Sequence, residues 1–164
     1  MWSDAILEEL HLHEQYKLID RGAEPGDALI KADFLIAQMR TAFGDALVTG
    51  WEGLDGTYEL PDPDDEHALA AAVVGNADVI VTDNLKHFPP AKIPSHINVI
   101  AGREFAENTA DVNPEAAVRA LIAISTRHKL TPQSPRQVLE LLVSRYSMNQ
   151  LVAILADALD EAGA

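Results

Sequence analysis

Acidic side chains are concentrated in one short segment of this sequence, Asp62–His67, which reads Asp-Pro-Asp-Asp-Glu-His. An alanine-rich stretch follows, and the run Val-Thr-Asp-Asn at residues 81–84 then ends an apolar segment. In α/β proteins, sites form beyond the carboxyl ends of the strands, where helix N-termini also gather. We therefore expect the Asp62–His67 segment to meet Asp83 and Asn84 at one rim of a sheet.

Helical periodicity predicts which of these acids faces the rim. Asp65 precedes Leu69 by four residues and Ala72 by seven, so it shares their apolar face and should point inward. Glu66 lies about 100° further round the helix, and we expect it not to point inward.

A helix near the start of the sequence offers two more acids. Ile6, Leu7 and Leu10 form its apolar stripe. Glu8 lies nearly opposite this stripe and should be solvated, whereas Glu9 lies at its flank, where a carboxylate can face a cleft.

Converging carboxylates, in a sequence with no cysteine, suit a hard cation such as Mg²⁺ or Mn²⁺. Such a cation can activate water and stabilise charge on a phosphodiester. A structural interpretation stays open beside this one. Aspartates at helix starts, here Asp62 and Asp64, are ordinary capping residues. Asp65 fits either interpretation, and Glu9 fits a solvated flank as well as a ligand.

The elements follow the order α-α-β-α-β-β-α, which predicts an α/β fold with a parallel sheet. Ala46–Thr49 and Ile97–Ile100 read as strands, and Val79–Val81 reads as a buried strand. From Asn113 onward the pattern is helical only. We therefore predict an α/β core over residues 1–110 and a helical extension over residues 111–164. An apolar stripe at Leu151, Val152, Leu155 and Leu159 could pack in the core or pair with another chain.

The composition permits a folded core, because 48% of the 164 residues are apolar. No signal peptide or apolar run long enough for a membrane span is visible, which predicts a cytoplasmic protein without a membrane partner. The formal net charge of −14 argues against binding RNA, since affinity for phosphates comes largely from lysine and arginine. A case for a nucleic-acid enzyme therefore depends on the site.

Three segments of the sequence resemble the conserved motifs of PIN-domain nucleases. They are WSDAILEEL at residues 2–10, LPDPDDEHALAAA at residues 60–72 and VTDNLKHFP at residues 81–89. The last is most similar to a subgroup of VapC-like bacterial toxins. These are Mg²⁺-dependent endoribonucleases of toxin–antitoxin pairs, so the resemblance implies RNA cleavage and an antitoxin partner.

The resemblance also implies roles for single residues. Glu9 matches the conserved helix glutamate and Asp65 the central metal-binding aspartate, with Asp62 as a further metal ligand. Asn84 falls where many PIN domains have a fourth acid and would orient the attacking water, and Asp83 could compensate for the missing charge. At residue 87 the subgroup usually has aspartate, whereas this sequence has His87.

PIN domains open with a central strand that carries the first catalytic aspartate, and this sequence begins directly at the second motif. The expectation is therefore a sheet that lacks its own first strand. A separate N-terminal fragment or the antitoxin would donate that strand, by strand complementation. The alternatives are a domain-swapped homo-oligomer and a catalytically inactive PIN-like scaffold that serves as a protein-interaction module.

Overall fold

A computed structural model describes residues 1–127 and 133–161 of the chain, so the predicted 111–164 extension is only partly covered. Its regular elements are seven α-helices and two β-strands among these residues. The helices are α1 Asp4–Asp20, α2 Pro25–Ala42, α3 Glu66–Val74, α4 Gly102–Val112, α5 Pro114–Arg127, α6 Pro135–Tyr146 and α7 Asn149–Glu161; the strands are β1 Val79–Val81 and β2 Asn98–Ile100.

The strands form a small parallel sheet. The amide of Asn98 donates to the carbonyl of Asp78, and the amide of Thr82 donates to the carbonyl of Ile100. A second parallel contact is a single bridge between Trp2 and Leu47. The α/β class with parallel strands is thus present, in a form compatible with a PIN-like fold. The predicted strand Ala46–Thr49 is reduced to that one bridge.

Sequence signals account for where the helices begin and end. The buried hydroxyl of Ser3 accepts a hydrogen bond from the amide of Ile6 at 3.2 Å, so Ser3 caps α1. Gly75 follows the last residue of α3. Proline is the first residue of α2, α5 and α6, where its missing amide proton leaves no hydrogen bond unmade.

By its contacts, the described chain divides into two compact units. The first comprises residues 1–80 and 84–99, and the second comprises residues 81–83 and those from 100 onward. In the first unit, α1 packs on α2, and a separate apolar cluster gathers Leu60, Leu69, Phe88 and Ile97. Division into compact units does not test independent folding, so the boundary near residue 110 stays a prediction.

The second unit is a cluster of the four helices α4 to α7. Its core includes Leu151, Leu155 and Leu159, which are buried against α4, α5 and α6. The hypothesis that this stripe pairs with another chain is therefore wrong, because its apolar surface is already covered by neighbouring helices. None of the helices in residues 1–127 and 133–161 is long and apolar enough to span a membrane.

Strand β1 differs from its prediction as a buried strand. None of its three side chains is buried, and Val81 is 45% exposed. Side chains of a strand point alternately to the two faces of its sheet, and among the described residues neither face of β1 is fully covered. Phe43, the residue that follows the end of α2, is exposed, and its ring packs edge-on against Trp2.

Candidate active site

Three side chains of the first unit bring potential metal-binding atoms together. One atom each from Asp62, Asp65 and His87 lies within 4.8 Å of the other two. The Nδ1 atom of His87 is 2.6 Å from the Oδ2 atom of Asp65 and 3.3 Å from the Oδ2 atom of Asp62. All three side chains are half-buried, so the group is accessible from solvent.

Local structure fixes the two aspartates differently. Pro63–Asp65 forms a 3-10 turn, and Asp62 caps it by accepting the amide proton of Asp64 on Oδ1 at 3.2 Å. The capping interpretation thus holds for one oxygen of Asp62, while its other oxygen faces His87. Asp65 precedes α3 but makes no capping hydrogen bond, so its carboxylate is not used to start the helix.

Glu66 contradicts its prediction. We expected it not to point inward, yet it is only 3% exposed. Its carboxylate accepts the amide protons of Tyr58 at 2.9 Å and Leu60 at 2.8 Å. The prediction failed because it assumed α-helical geometry from Asp64 onward. The 3-10 turn before Glu66 changes the angular phase, and two backbone donors are there to satisfy a buried carboxylate.

Tyr58 lies beside this buried acid. Burial raises the pKa of the Tyr58 phenol, and the negative charge of Glu66 raises it further. Between the two amides that Glu66 accepts, Glu59 has a positive φ of 53°. This left-handed residue turns the chain so that amides two residues apart can reach one carboxylate. Glu66 therefore anchors the segment that leads into Asp62.

Glu9 is exposed at the flank of α1, as its helical phase predicted, and it is not part of the three-residue group. Its Oε1 atom is 3.1 Å from the Nε2 atom of His67, which lies on α3 two residues after Asp65. The other ring nitrogen of His67 is buried without a hydrogen-bond partner among the described residues. The ring also packs at a tilt on Trp51, with 6.0 Å between centroids.

Asn84 and Asp83 have separate surroundings. The side-chain nitrogen of Asn84 is 2.6 Å from the Nδ1 atom of His87, so Asn84 borders the three-residue group. The carboxylate of Asp83 accepts the amide proton of Gly102, the first residue of α4, at 3.2 Å. Asp83 therefore contributes to starting a helix of the second unit, and its catalytic assignment stays a prediction.

Comparison with known proteins adds one match. Over 79 residues, the chain is 35% identical to "Putative ribonuclease VapC50" of Mycobacterium tuberculosis. The match covers 48% of this chain and 47% of VapC50, about half the length of each protein. No protein-family model matches the chain, and no solved structure matches it significantly. The similarity to VapC50 supports the VapC-like resemblance of the three motifs.

Sequence reasoning missed the contributions of two histidines. His87 was noted only as a departure from the VapC-like pattern, and His67 was assigned no role. A usable signal existed for His87, because a side chain that replaces an expected aspartate at a rim position remains a potential metal ligand. No comparable signal existed for His67, since its contact with Glu9 joins residues 58 positions apart.

Proposed function

We propose that this chain contributes the catalytic part of a metal-dependent endoribonuclease, the toxin of a VapC-like toxin–antitoxin pair. The observation that carries the proposal is the half-buried group of Asp62, Asp65 and His87 at the start of α3. Its two aspartates lie in the segment LPDPDDEHALAAA and its histidine lies in the segment VTDNLKHFP, both of which resemble PIN motifs. The similarity to a protein named as a VapC ribonuclease supports the same conclusion.

The donor set fits a divalent metal ion. Two carboxylates balance its charge, and the half-buried position leaves room for water and substrate. We assign Asp62 and Asp65 as ligands of Mg²⁺ or Mn²⁺. When bound, such an ion activates water and stabilises the charge that develops on the phosphodiester.

The neighbouring residues take supporting roles in this proposal. Asn84 orients the attacking water with its amide. Glu9 is the third acid of the metal site, and its carboxylate must leave His67 to join the other two. Asp83 lends negative charge next to Asn84.

The formal net charge of −14 opposes RNA binding over most of the surface, so the proposal needs a cation close to the cleavage site. Lys86 is exposed next to His87 in sequence and belongs to none of the ion pairs found within the described residues. In the proposal, Lys86 contacts a phosphate beside the cleavage site, and its positive charge offsets the negative charge of nearby acids. A basic antitoxin would complement the remaining negative surface.

A further part of the proposal is a strand supplied from outside the described residues. Among the described residues, β1 pairs with β2, and Trp2 pairs with Leu47. Each of these parallel contacts joins only two chain segments, so each leaves backbone edges without a strand neighbour. The exposed side chain of Val81 is also suited to being covered. Backbone pairing on such an edge would add a strand and its aspartate, by strand addition.

The decisive experiment compares two adjacent aspartates in an RNA-cleavage assay. The chain is purified with its antitoxin, released, and incubated with total RNA in Mg²⁺, in Mn²⁺ and in EDTA. We expect cleavage only with metal, and a loss of at least about 100-fold in Asp65→Asn. The control is Asp64→Asn, since Asp64 is exposed at the same helix start and its side chain lies outside the metal group.

Three results would contradict the proposal. Equal activity of Asp65→Asn and Asp64→Asn would exclude Asp65 from the chemistry. Cleavage that persists in EDTA would exclude metal dependence. Absence of cleavage, together with a stable complex with the antitoxin, would favour the inactive PIN-like scaffold. The mass of the complex in native mass spectrometry also tests whether a second chain supplies the missing strand.

A further inference from the structure

Three polar side chains compete for one nitrogen atom in this site. The Nδ1 atom of His87 lies 2.6 Å from a carboxylate oxygen of Asp65 and 2.6 Å from the amide nitrogen of Asn84. An Nδ1 atom holds either a proton or a lone pair. With the proton it donates to Asp65, and with the lone pair it can ligate a cation that the carboxylates of Asp65 and Asp62 can also bind.

We propose that His87 Nδ1, Asp65 Oδ2 and Asp62 Oδ2 together ligate a first-row transition-metal ion, such as Mn²⁺ or Zn²⁺, in preference to Mg²⁺. The ion accepts the lone pair of Nδ1 and charge from both carboxylates at once. The inference rests on the proposed function only in that it concerns the same site.

The distances from His87 to the two carboxylates are compatible with such an ion after a small adjustment, and the ligand atoms of Asp62 and Asp65 lie within 4.8 Å of each other. Ligand atoms about 2.1 Å from a shared metal ion are about 3.0 to 3.4 Å apart, depending on the geometry. The separation between His87 and Asp62, 3.3 Å, already lies in this range. The 2.6 Å separation between His87 and Asp65 must widen by a few tenths of an ångström. A side-chain rotation of that size needs no backbone movement.

The imidazole decides the class of metal ion. Mg²⁺ prefers oxygen ligands and gives up its water reluctantly, whereas imidazole nitrogen suits zinc, iron, nickel and copper ions. Manganese accepts both kinds of ligand. An aspartate at residue 87, as in the resembling toxins, would make the set all-oxygen and suited to Mg²⁺. His87 therefore shifts the preference of the site toward transition metals.

The rest of the site supports an open metal centre. Three protein ligands leave coordination positions for water or a substrate oxygen, as in catalytic rather than structural sites. The second oxygen of Asp62 is held by the amide of Asp64, which orients the carboxylate toward His87. The side chain of His87 is 21% exposed, so an ion can enter from solvent.

Metal binding to the full chain tests this inference without RNA. Metal-free protein is titrated with Mn²⁺, Zn²⁺ and Mg²⁺ by calorimetry, and bound Mn²⁺ is examined by pulsed electron paramagnetic resonance for coupling to a nitrogen nucleus. We expect tighter binding of Mn²⁺ than of Mg²⁺, with a nitrogen coupling. His87→Ala should remove the coupling and weaken Mn²⁺ binding about 10-fold or more.

Two further variants make the result specific. His87→Asp should remove the nitrogen coupling and raise the affinity for Mg²⁺ relative to Mn²⁺. The control is His11→Ala, because His11 also lies 2.8 Å from a carboxylate, that of Asp33, but outside the three-residue group. It should leave both the coupling and the affinities unchanged.

The inference is overturned if bound Mn²⁺ shows no nitrogen coupling, if His87→Ala binds Mn²⁺ as tightly as the parent chain, or if no ion binds. His87 would then be a proton-carrying partner of the two aspartates. RNA cleavage that depends on Asp65 but not on His87 would refute this inference and leave the proposed function standing. A bound Mn²⁺ ion that couples to nitrogen, in a chain that cleaves no RNA, would support this inference and contradict the proposed function.

Discussion

Removing one charge from Glu66 tests how the segment before the candidate site is held. The buried carboxylate of Glu66 accepts two backbone amide protons, from Tyr58 and Leu60. In Glu66→Gln, one oxygen still accepts a proton, but the new amide group faces the second backbone donor. A hydrogen bond to a charged group contributes about 1.5 to 3 kcal/mol. We therefore expect Glu66→Gln to lower the free energy of unfolding by about 1.5 to 3 kcal/mol.

Truncation of the same side chain should cost more. Glu66→Ala leaves both backbone donors without an acceptor, so we expect a loss of about 3 to 6 kcal/mol, twice the single contribution. The assay is urea unfolding followed by tryptophan fluorescence, because Trp2 and Trp51 both lie in the compact unit that contains Glu66. The control is Glu52→Gln, which removes the charge of an exposed glutamate in the same unit.

Two outcomes would contradict this account of Glu66. If Glu66→Gln unfolds at the same urea concentration as Glu52→Gln, the two short hydrogen bonds do not hold the segment. Asp62 would then be positioned by its own 3-10 turn alone. A destabilisation of Glu66→Ala no larger than that of Glu66→Gln would likewise contradict the additive treatment of the two donors.

Three other predictions follow from packing and burial. Gly75→Ala should lower the free energy of unfolding by about 1 to 3 kcal/mol, because its new Cβ would lie 2.9 Å from Val48. The control is Gly53→Ala, whose new Cβ meets no neighbour, and the urea midpoints of the two variants are compared. Leu155→Ala should cost about 2 to 5 kcal/mol by leaving a cavity in the second unit, measured by circular dichroism, and the exposed Ile124→Ala should cost far less. In the folded state, the pKa of the Tyr58 phenol is raised above its usual value of about 10. The stability that the protonated phenol contributes is therefore complete below pH 10 and is lost as pH rises through the raised pKa. As pH rises from neutral to above that pKa, the urea midpoint of the parent chain should fall relative to that of Tyr58→Phe, and a rise would show that the sign is wrong.

The sequence by itself determined where most helices begin and end. Ser3 has a hydroxyl that can cap a helix, Gly75 stops one, and Pro114 marks the start of one, so these signals act through near neighbours in the chain. The same locality explains why Asp65 was found as a candidate ligand. Its position three residues after Asp62 and just before an apolar helix is visible without a fold.

The tertiary structure alone decided which side chains meet. His87 reaches Asp65 across 22 residues and His67 reaches Glu9 across 58, and no periodicity encodes such contacts. Glu66 turned inward because a 3-10 turn changed the helical phase and two amides, six and eight residues earlier in the chain, needed an acceptor. Strand β1 stayed partly exposed because the burial of its side chains depends on what packs over the faces of its sheet. Local propensity specifies the elements, whereas long-range packing and unsatisfied polar groups determine the site.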